Sequence, residues 1–582
     1  MDQETRQCQN CKQEFTIEPD DFAFYERMKV PAPTFCWKCR FPRRLAWRNE
    51  RSLYKRTCNL CNTSMISMFK PEVPFPVYCH DCWWSDKWDS LKFGRDYDFS
   101  KPFFEQFAQL QLEVPRPALY ASQNVNSDYC NHSSHLKDCY LIFGSWFSEN
   151  CGYGNTVLDS KNCWDCLFTG DSEGCLHSVD INKCYQTHFS QNCTGCTDSA
   201  FLYDCRNCQN CLFCYNLRNK TYHVFNQPVS KEDFNRIKDA TLSSYTLLQK
   251  RLLEFQKSIR EKALHKYLVG DHNSNVSGDF IYNAKNVHAS FFVEGGENEK
   301  YVVRNVKAQK DSMDIFGVNG GELGYESNNG DFCSKILFSV NGENNSNIYY
   351  LVDSFSAENC FGCISLNHKK YCILNKQYDE ESYKELKEKI ITQMQEQPYI
   401  DKAGRKYLFG EFFPIELSPF AYNESIAQDY IPLTKKQAEE LKYPWQEMAD
   451  KEYVPTKKWD ELPDTILEVD DSITKETILC EDWDKDKEKA KEHKCSMAFK
   501  ITPDELAIYR KFNLPLPRKC PNSRNFEKFQ LRNPINIWHR QCMCDKDHPH
   551  HTGQCTNEFE TSYSPDRKEI VYCEECYQQE VS

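Results

Sequence analysis

The chain has 582 residues, a formal net charge of -13 at neutral pH and 33 cysteines. A chain of this length is expected to form several domains rather than one hydrophobic core. Its hydrophobic fraction of 40% is enough to fold globular units and argues against general disorder. The negative charge excludes a uniformly basic nucleic-acid coat protein, although it leaves room for a local basic surface.

The N-terminal stretch MDQETRQCQNCKQEF is polar, and no segment approaches the roughly 18 apolar residues that a membrane span needs. We therefore expect a cytoplasmic protein. Because the cytosol keeps thiols reduced, its cysteines indicate metal ligation rather than a disulfide framework.

Residues 1–92 are predicted to form a tandem zinc-ribbon module, because they contain four CxxC pairs. Each pair supplies two thiolates from one tight turn, and two pairs complete the tetrahedral shell of a structural zinc ion. Short β-rich segments between the pairs are typical of ribbon hairpins. The first predicted zinc site comprises Cys8, Cys11, Cys36 and Cys39, and the second comprises Cys58, Cys61, Cys79 and Cys82.

Residues 93–120 are interpreted as a linker with a short helix, and 121–226 as a cysteine-rich parallel β-solenoid. Thirteen cysteines lie between Cys130 and Cys214, and every spacing among them is a multiple of three. A 21-residue ladder runs through Cys130, Cys151, Cys193 and Cys214, with Ser172 in the missing position. Fixed periods near 20 residues indicate a repeat architecture whose units stack on one another.

We favour a packing role for the solenoid cysteines, because cysteine is a small and frequently buried side chain. Two alternatives stay open. The CxxC pairs at 163/166, 193/196, 205/208 and 211/214 have the spacing of ligands for metal ions or an iron–sulfur cluster, and the row of thiols is also suited to redox sensing.

The second half of the chain repeats this organisation. We predict a capping helix over 227–268, a second β-solenoid over 269–376 and a second capping helix over 377–400. At an offset of 149, Cys211 and Cys214 of the first solenoid match Cys360 and Cys363 of the second. Residues 401–490 are predicted to be an acidic, irregular linker.

Residues 491–582 are predicted to be a second tandem zinc-ribbon module with one degenerate site. At an offset of 484, Cys495 and Cys520 match Cys11 and Cys36, whereas Glu492 and Ser523 replace Cys8 and Cys39. A residue such as His493 is a candidate third ligand, but we expect no tight zinc there.

The other site of this module is predicted to be intact. After a ten-residue insertion the match resumes at an offset of 494, which gives the ligands Cys542, Cys555, Cys573 and Cys576. Cys544 is close enough in sequence to substitute for Cys542. The insertion carries His548, His550 and His551, which we interpret as exposed polar residues rather than metal ligands. The whole chain is thus expected to hold about three zinc ions.

A basic segment, RFPRRLAWRNERSLYKRT, follows Cys39, and some of its positions recur in the second module. Arginine with interleaved aromatic residues is suited to phosphate contact and base stacking. Nucleic-acid binding, with RNA favoured, is therefore predicted at Arg40, Arg43, Arg44, Arg48, Arg51, Arg56, Arg524, Lys528, Arg532 and Arg540. In the alternative interpretation these cations pair with the acidic segment near 450–492.

The sequence contains no GxxxxGK[ST] loop, GxSxG elbow or HExxH helix, so we do not expect an enzyme. The fold class is predicted to be mainly β and multidomain, with zinc ribbons at both termini flanking two parallel β-solenoids with capping helices. The favoured function is a zinc-binding scaffold for nucleic acid or a ribonucleoprotein. A structural protein that binds other proteins through its solenoid faces and a metal-dependent redox protein are the alternatives.

The motifs YCHDCWWSDKWD, RRLAWRNERSLY, LKDCYLIFGSWF, LRNKTYHVFN and NEFETSYSPDRKEIVYCEECY give the chain a wider resemblance. Over nearly its whole length it resembles a group of long zinc-ribbon proteins from uncultivated, small-genome bacteria of the candidate phyla radiation. The resemblance implies zinc ligands and a bacterial cytoplasmic setting, but no mechanism. The departures at Glu492 and Ser523 put the metal of the degenerate ribbon in doubt.

Overall fold

A computed structural model describes residues 2–447 and 453–581. Strand exceeds helix in the chain, 31% against 26%, and the strands form several sheets, as the mainly β prediction requires. Residues 448–452, which belong to the predicted acidic linker, lie outside the described residues. Within the described ranges, no helix combines the length and the apolar character needed to cross a membrane.

A parallel sheet of twelve strands, the first parallel sheet, occupies the region predicted as the first solenoid. Its final pair is antiparallel, and its other pairs are parallel. The strands are Ala121–Ser122, Asn131–Ser134, Phe143–Trp146, Asn155–Leu158, Leu167–Gly170, Val179–Asn182, Tyr185–His188, Gln191–Thr194, Thr197–Tyr203, Gln209–Tyr215, Thr221–Val224 and Gln227–Pro228.

Parallel partners in this sheet are mostly twelve residues apart, as in the pairs Asn155↔Leu167 and Leu167↔Val179. The predicted 21-residue ladder is therefore not the pairing period. A left-handed residue recurs at every third position over long stretches, for example at Asn150, Tyr153 and Thr156. This three-residue period divides twelve evenly and explains why the cysteine spacings are multiples of three. Asparagine and aspartate tolerate the left-handed conformation better than other side chains, which accounts for their abundance here.

A second parallel sheet of fourteen strands follows, again with strand partners mostly twelve residues apart. Its last pair is also antiparallel. The strands are Gly270–Asp271, Ser274–Tyr282, Lys285–Glu294, Glu297–Lys300, Val303–Asn305, Lys310–Asn319, Glu322–Asp331, Ser334–Leu337, Val340–Glu343, Ser346–Tyr349, Val352–Phe355, Glu358–Phe361, Cys372–Ile373 and Lys376–Gln377.

Helices follow the last strands of each sheet. Where one capping helix was predicted, two form, Lys231–Ser243 and Tyr245–Lys262, each with a serine N-cap that accepts a backbone hydrogen bond. Phe255 of the second helix packs edge-on against Phe201 and Phe213 of the first sheet. The second predicted cap is the helix Glu380–Glu396, which begins at the N-cap Asp379.

Short hairpins and helices make up the terminal modules. The antiparallel hairpins pair Glu4–Gln7 with Glu14–Ile17, Tyr54–Thr57 with Ser64–Ser67, Ile478–Leu479 with Ala498–Phe499, and Trp538–Gln541 with Glu558–Thr561. One of these hairpins begins at Ile478, before the predicted start of the second module at 491.

The remaining α-helices, in the terminal modules and in the segments between modules and sheets, are Pro19–Met28, Trp37–Leu45, His80–Trp83, Phe103–Gln111, Ala427–Tyr430, Lys435–Glu440, Glu481–Lys485, Lys487–Glu492, Pro503–Lys511, Pro521–Gln530 and Glu574–Val581.

The first module packs on the second parallel sheet, and the second module packs on the first. Tyr25 of the first module contacts Tyr325 of the second parallel sheet, with ring centroids 5.7 Å apart. In the second module, Leu506 and Tyr509 share a core with Tyr153 and Trp164 of the first parallel sheet. The segment predicted as a linker joins this packing, since Phe413 is fully buried against Trp47 and Tyr350.

Candidate metal centres

The first cysteine cluster is built by one hairpin and one helix. Its first member directly follows strand Glu4–Gln7, its second lies in the turn before Glu14–Ile17, and its third is the N-cap of helix Trp37–Leu45. The fourth lies in the first turn of that helix. The cluster comprises Cys8, Cys11, Cys36 and Cys39, whose sulfur atoms all lie within 4.8 Å of one another.

The geometry of this cluster fits a tetrahedral metal ion. A zinc–sulfur bond of about 2.3 Å places neighbouring sulfurs of a tetrahedron ~3.8 Å apart. The Sγ atoms of Cys11 and Cys36 are 3.7 Å apart. Asn10 donates a hydrogen bond to Cys39 Sγ at 3.3 Å and in turn accepts one from Arg405 at 2.8 Å. Such outer contacts orient ligands in metal sites.

The second cluster repeats this arrangement with Cys58, Cys61, Cys79 and Cys82, again within 4.8 Å. The Sγ atoms of Cys61 and Cys79 are 3.8 Å apart, and the Cys79 amide donates to Cys58 Sγ at 3.3 Å. Cys61 is exposed, and a hydrogen bond with the Thr63 hydroxyl lowers the pKa of its thiol to about 6. A thiolate is therefore accessible at this site near neutral pH, which favours metal uptake.

The third cluster lies in the second module and contains Cys542, Cys555, Cys573 and Cys576, all of them buried. The Cys573 amide donates to Cys542 Sγ at 3.2 Å, which matches the Cys79–Cys58 contact of the first module. Cys542 rather than Cys544 therefore takes the ligand position of this cluster. The twelve cysteines predicted as zinc ligands thus come together in three groups that can hold metal.

The histidine insertion is only partly the exposed loop that was predicted, because His550 is exposed but His548 and His551 are half-buried. His548, His551 and Cys544 form with Cys576 a further group whose ligand atoms lie within 4.8 Å. His551 Nε2 is 3.1 Å from Cys576 Sγ, and His550 Nε2 is 3.3 Å from it. The three imidazole rings also pack against one another, with centroids 4.6 to 5.8 Å apart.

The degenerate site also differs from expectation. Cys495 and Cys520 come together, with their Sγ atoms 3.6 Å apart. Glu492, however, does not stand in the position of Cys8. That position belongs to Cys480, which directly follows strand Ile478–Leu479. A comparison at constant offset missed it, because Cys480 and Cys495 are fifteen positions apart whereas Cys8 and Cys11 are three apart.

The basic residues of the first module do not form a nucleic-acid surface, which corrects that prediction. The side chains of Arg40, Arg43, Arg44 and Arg48 are at most 3% exposed. Arg40 and Arg44 both contact Asp314 of the second parallel sheet, at 2.7 and 2.9 Å. Arg43 bridges Glu326 at 2.6 Å and Glu411 at 2.9 Å. A buried guanidinium that is satisfied by carboxylates is not available to phosphate.

Arg48 belongs to a second buried group. It contacts Glu50 at 2.7 Å, and Arg304 of the second sheet contacts the same carboxylate at 2.8 Å. Burial raises the pKa of Glu50, but the guanidiniums of Arg304 and Arg48 outweigh burial and hold that pKa well below its usual range. Glu50 is therefore an anion inside the protein.

The matching cations of the second module are buried in the same way. Arg524 and Lys528 contact Asp165, just before strand Leu167–Gly170 of the first parallel sheet, at 3.0 and 3.3 Å. Arg532 contacts Asp180 of strand Val179–Asn182 at 3.2 Å. The side chains of these three cations are at most 7% exposed.

The last three predicted positions are not free surface cations either. Arg56 is buried and donates to the Lys70 carbonyl. Arg51 and Arg540 are half-buried. The alternative interpretation holds for the other seven predicted cations, which pair with acids of the same chain. These acids lie outside 450–492.

The cysteines of the first parallel sheet occupy hydrogen-bonding core positions. Cys139, Cys151 and Cys163 are spaced by twelve, and each thiol donates to the carbonyl two residues earlier at 3.3 to 3.4 Å. Ser127 and Thr187 make the same bond at the same spacing. Because serine and threonine replace cysteine there, the packing role that we favoured accounts for this column.

No protein-family model matches the chain, and a search of curated proteins gives no significant match. The resemblance to zinc-ribbon proteins of the candidate phyla radiation stays a prediction. The side chains described above therefore carry the functional argument.

Proposed function

We propose that this chain is a zinc-stabilised structural scaffold, in which zinc-ribbon modules at both ends fasten two β-solenoids into one rigid body. The solenoids correspond to the first and second parallel sheets, and the ribbons to the cysteine clusters with their hairpins. Parallel sheets whose partners are mostly twelve residues apart support the solenoid assignment. Paired CxxC turns with sulfur separations near 3.8 Å support zinc as the metal.

One observation carries this proposal: each module buries its cations against the sheet that is remote in sequence. Arg40 and Arg44 reach Asp314, and Arg524 and Lys528 reach Asp165. An interface of buried ion pairs between distant segments is typical of an assembled architecture. Nucleic acid is not proposed as the partner, because seven of the ten residues predicted to bind it are engaged in buried ion pairs.

The metal has a mechanical role in this scheme. Helix Trp37–Leu45 carries both Cys39 and the docking arginines, so metal ligation at its start sets the direction in which Arg40 and Arg44 point. Helix Pro521–Gln530 carries Arg524 and Lys528 in the same way. Structural zinc supplies folding free energy to such small modules, and its removal unfolds them.

The test is metal analysis of the purified full-length chain, followed by chelation. Element analysis should find at least three zinc ions per chain. Small-angle X-ray scattering should show a larger radius of gyration after chelation, because the modules release the sheets. Unchanged dimensions in the metal-free chain would contradict the scaffold role of zinc. Bound iron with charge-transfer absorbance would instead favour the redox alternative.

A further inference from the structure

Cys480 occupies the backbone position that the first ligand holds in the other clusters. It directly follows strand Ile478–Leu479, which pairs with Ala498–Phe499. Its amide donates to the Met497 carbonyl at 2.8 Å. In the first cluster the Cys8 amide donates to the Gln13 carbonyl at the same distance of 2.8 Å. The hairpin is thus the same structural unit, with twelve more residues between its cysteines.

The sulfur contacts repeat as well. The Cys520 amide donates to Cys480 Sγ at 3.2 Å. The equivalent bonds, from Cys79 to Cys58 and from Cys573 to Cys542, measure 3.3 and 3.2 Å. The Cys495–Cys520 separation of 3.6 Å is close to the 3.7 Å between Cys11 and Cys36. Three buried thiols therefore have the arrangement of a ligand set that lacks its fourth member.

Ser523 stands at the fourth position, and a histidine reaches it. The Ser523 hydroxyl is 3.7 Å from Cys480 Sγ and 3.4 Å from Cys520 Sγ. His493 Nε2 is 3.1 Å from the same hydroxyl. The imidazole is 6% exposed and stacks on Phe526, with the ring centroids 4.7 Å apart. A nitrogen ligand is thus held at the edge of the three thiols.

An acidic neighbour does not compete strongly for this role. Asp482 Oδ2 lies 3.4 Å from His493 Nε2, but the Asp482 carboxylate also contacts Lys519 at 2.9 Å. The ion pair with Lys519 neutralises the Asp482 carboxylate and so weakens its hold on the imidazole. Imidazole with three thiolates is a common ligand set of structural zinc.

We propose that Cys480, Cys495, Cys520 and His493 form a fourth metal centre, which binds zinc or another soft divalent ion. The site fastens the inserted helices Glu481–Lys485 and Lys487–Glu492 between its first two cysteines. This assignment reverses the expectation of no tight zinc in the degenerate ribbon, because that expectation counted only two cysteines.

The test compares three full-length proteins by native mass spectrometry and element analysis: the wild type, Cys480→Ser and Glu492→Ala. Cys480→Ser should hold one metal ion fewer than the wild type. Glu492→Ala is the matched control, because this exposed side chain is the one that a constant offset aligns with Cys8. Its metal content should equal that of the wild type. An equal number of metal ions in Cys480→Ser and the wild type would overturn the fourth metal centre. If that equal number is three, the scaffold function proposed for the three cysteine clusters is unaffected.

Cadmium NMR tests whether His493 is a metal ligand, and this experiment does not depend on the folding of Cys480→Ser. In the wild type loaded with ¹¹³Cd, a site with three sulfurs and one nitrogen gives a signal distinct from those of four-sulfur sites. His493→Cys should replace that signal with a four-sulfur one. A cadmium spectrum that is unchanged by His493→Cys would exclude His493 as a ligand and overturn the proposed site.

Discussion

Removing the carboxylate of Asp314 should release the first module from the second parallel sheet. Asp314 is fully buried and accepts hydrogen bonds from both Arg40 and Arg44, each at 2.9 Å. Among the described residues, Asp314→Ala therefore leaves these two buried guanidiniums with Glu326 and, for Arg40, the Phe35 carbonyl as acceptors. Breaking a buried pair by removing one partner costs about 3–5 kcal/mol, because the remaining charge is uncompensated. We expect the lower end of this range, since Glu326 lies 3.3 Å from Arg44.

Hydrogen exchange with mass spectrometry measures this loss where it occurs. A free-energy cost of about 3 kcal/mol corresponds to a more than hundredfold fall in protection of the amides in helix Trp37–Leu45. Glu297→Ala is a suitable control, because Glu297 makes a partly exposed pair with Lys310 at 3.0 Å. Such pairs contribute about 0–1 kcal/mol. If Asp314→Ala, at unchanged metal content, lowers the protection of this helix no more than Glu297→Ala does, then Asp314 does not hold the first module on the second parallel sheet.

Two further predictions concern the interior of the protein. Burial lowers the pKa of His265 to about 4, so its neutral form contributes stability above pH 6.5 that is lost as the pH falls toward 4. His265→Gln should reduce the loss of unfolding free energy between pH 7 and pH 5 by roughly 2 kcal/mol, measured by denaturant titration with excess zinc. The exposed His272→Gln should leave that loss unchanged, and an equal loss in both variants would refute the argument. Cys163→Ser should cost less than about 1.5 kcal/mol and change no metal count, because Ser127 makes the same carbonyl hydrogen bond in this column. A lost metal ion in Cys163→Ser would show instead that the column ligates metal.

The cysteine clusters could be predicted from local spacing, because CxxC pairs on hairpin and helix turns keep their geometry wherever the module lies. Cys480 could not be found in this way. The inserted helices displace it by twelve positions from the constant offset, and only the strand pairing of Ile478–Leu479 with Ala498–Phe499 restores the register. Allowing a gap between the first two cysteines of the pattern would have aligned Cys480 with Cys8.

The pairing period of the strands and the burial of the arginines could not be predicted without the three-dimensional fold. With left-handed residues every three positions, core side chains recur at multiples of three, so several periods fit the cysteines equally well. The basic segment looked like a free surface because its acidic partners are far away in sequence. Asp314 lies 270 positions from Arg44, and no local charge pattern connects them.

The two docking interfaces are related by the same offsets that relate the repeats. Arg40 and Arg44 correspond to Arg524 and Lys528 at an offset of 484, and Asp165 corresponds to Asp314 at an offset of 149. Each cation pair contacts the aspartate of the sheet that is remote from it in sequence. The basic positions shared by the modules are thus explained by reciprocal docking and need no external ligand. Removing one partner of a buried ion pair costs more free energy than the formation of the pair gains. Separating a module from its sheet is therefore unfavourable. Each module thus constrains the sheet it contacts, and the two halves of the chain constrain each other.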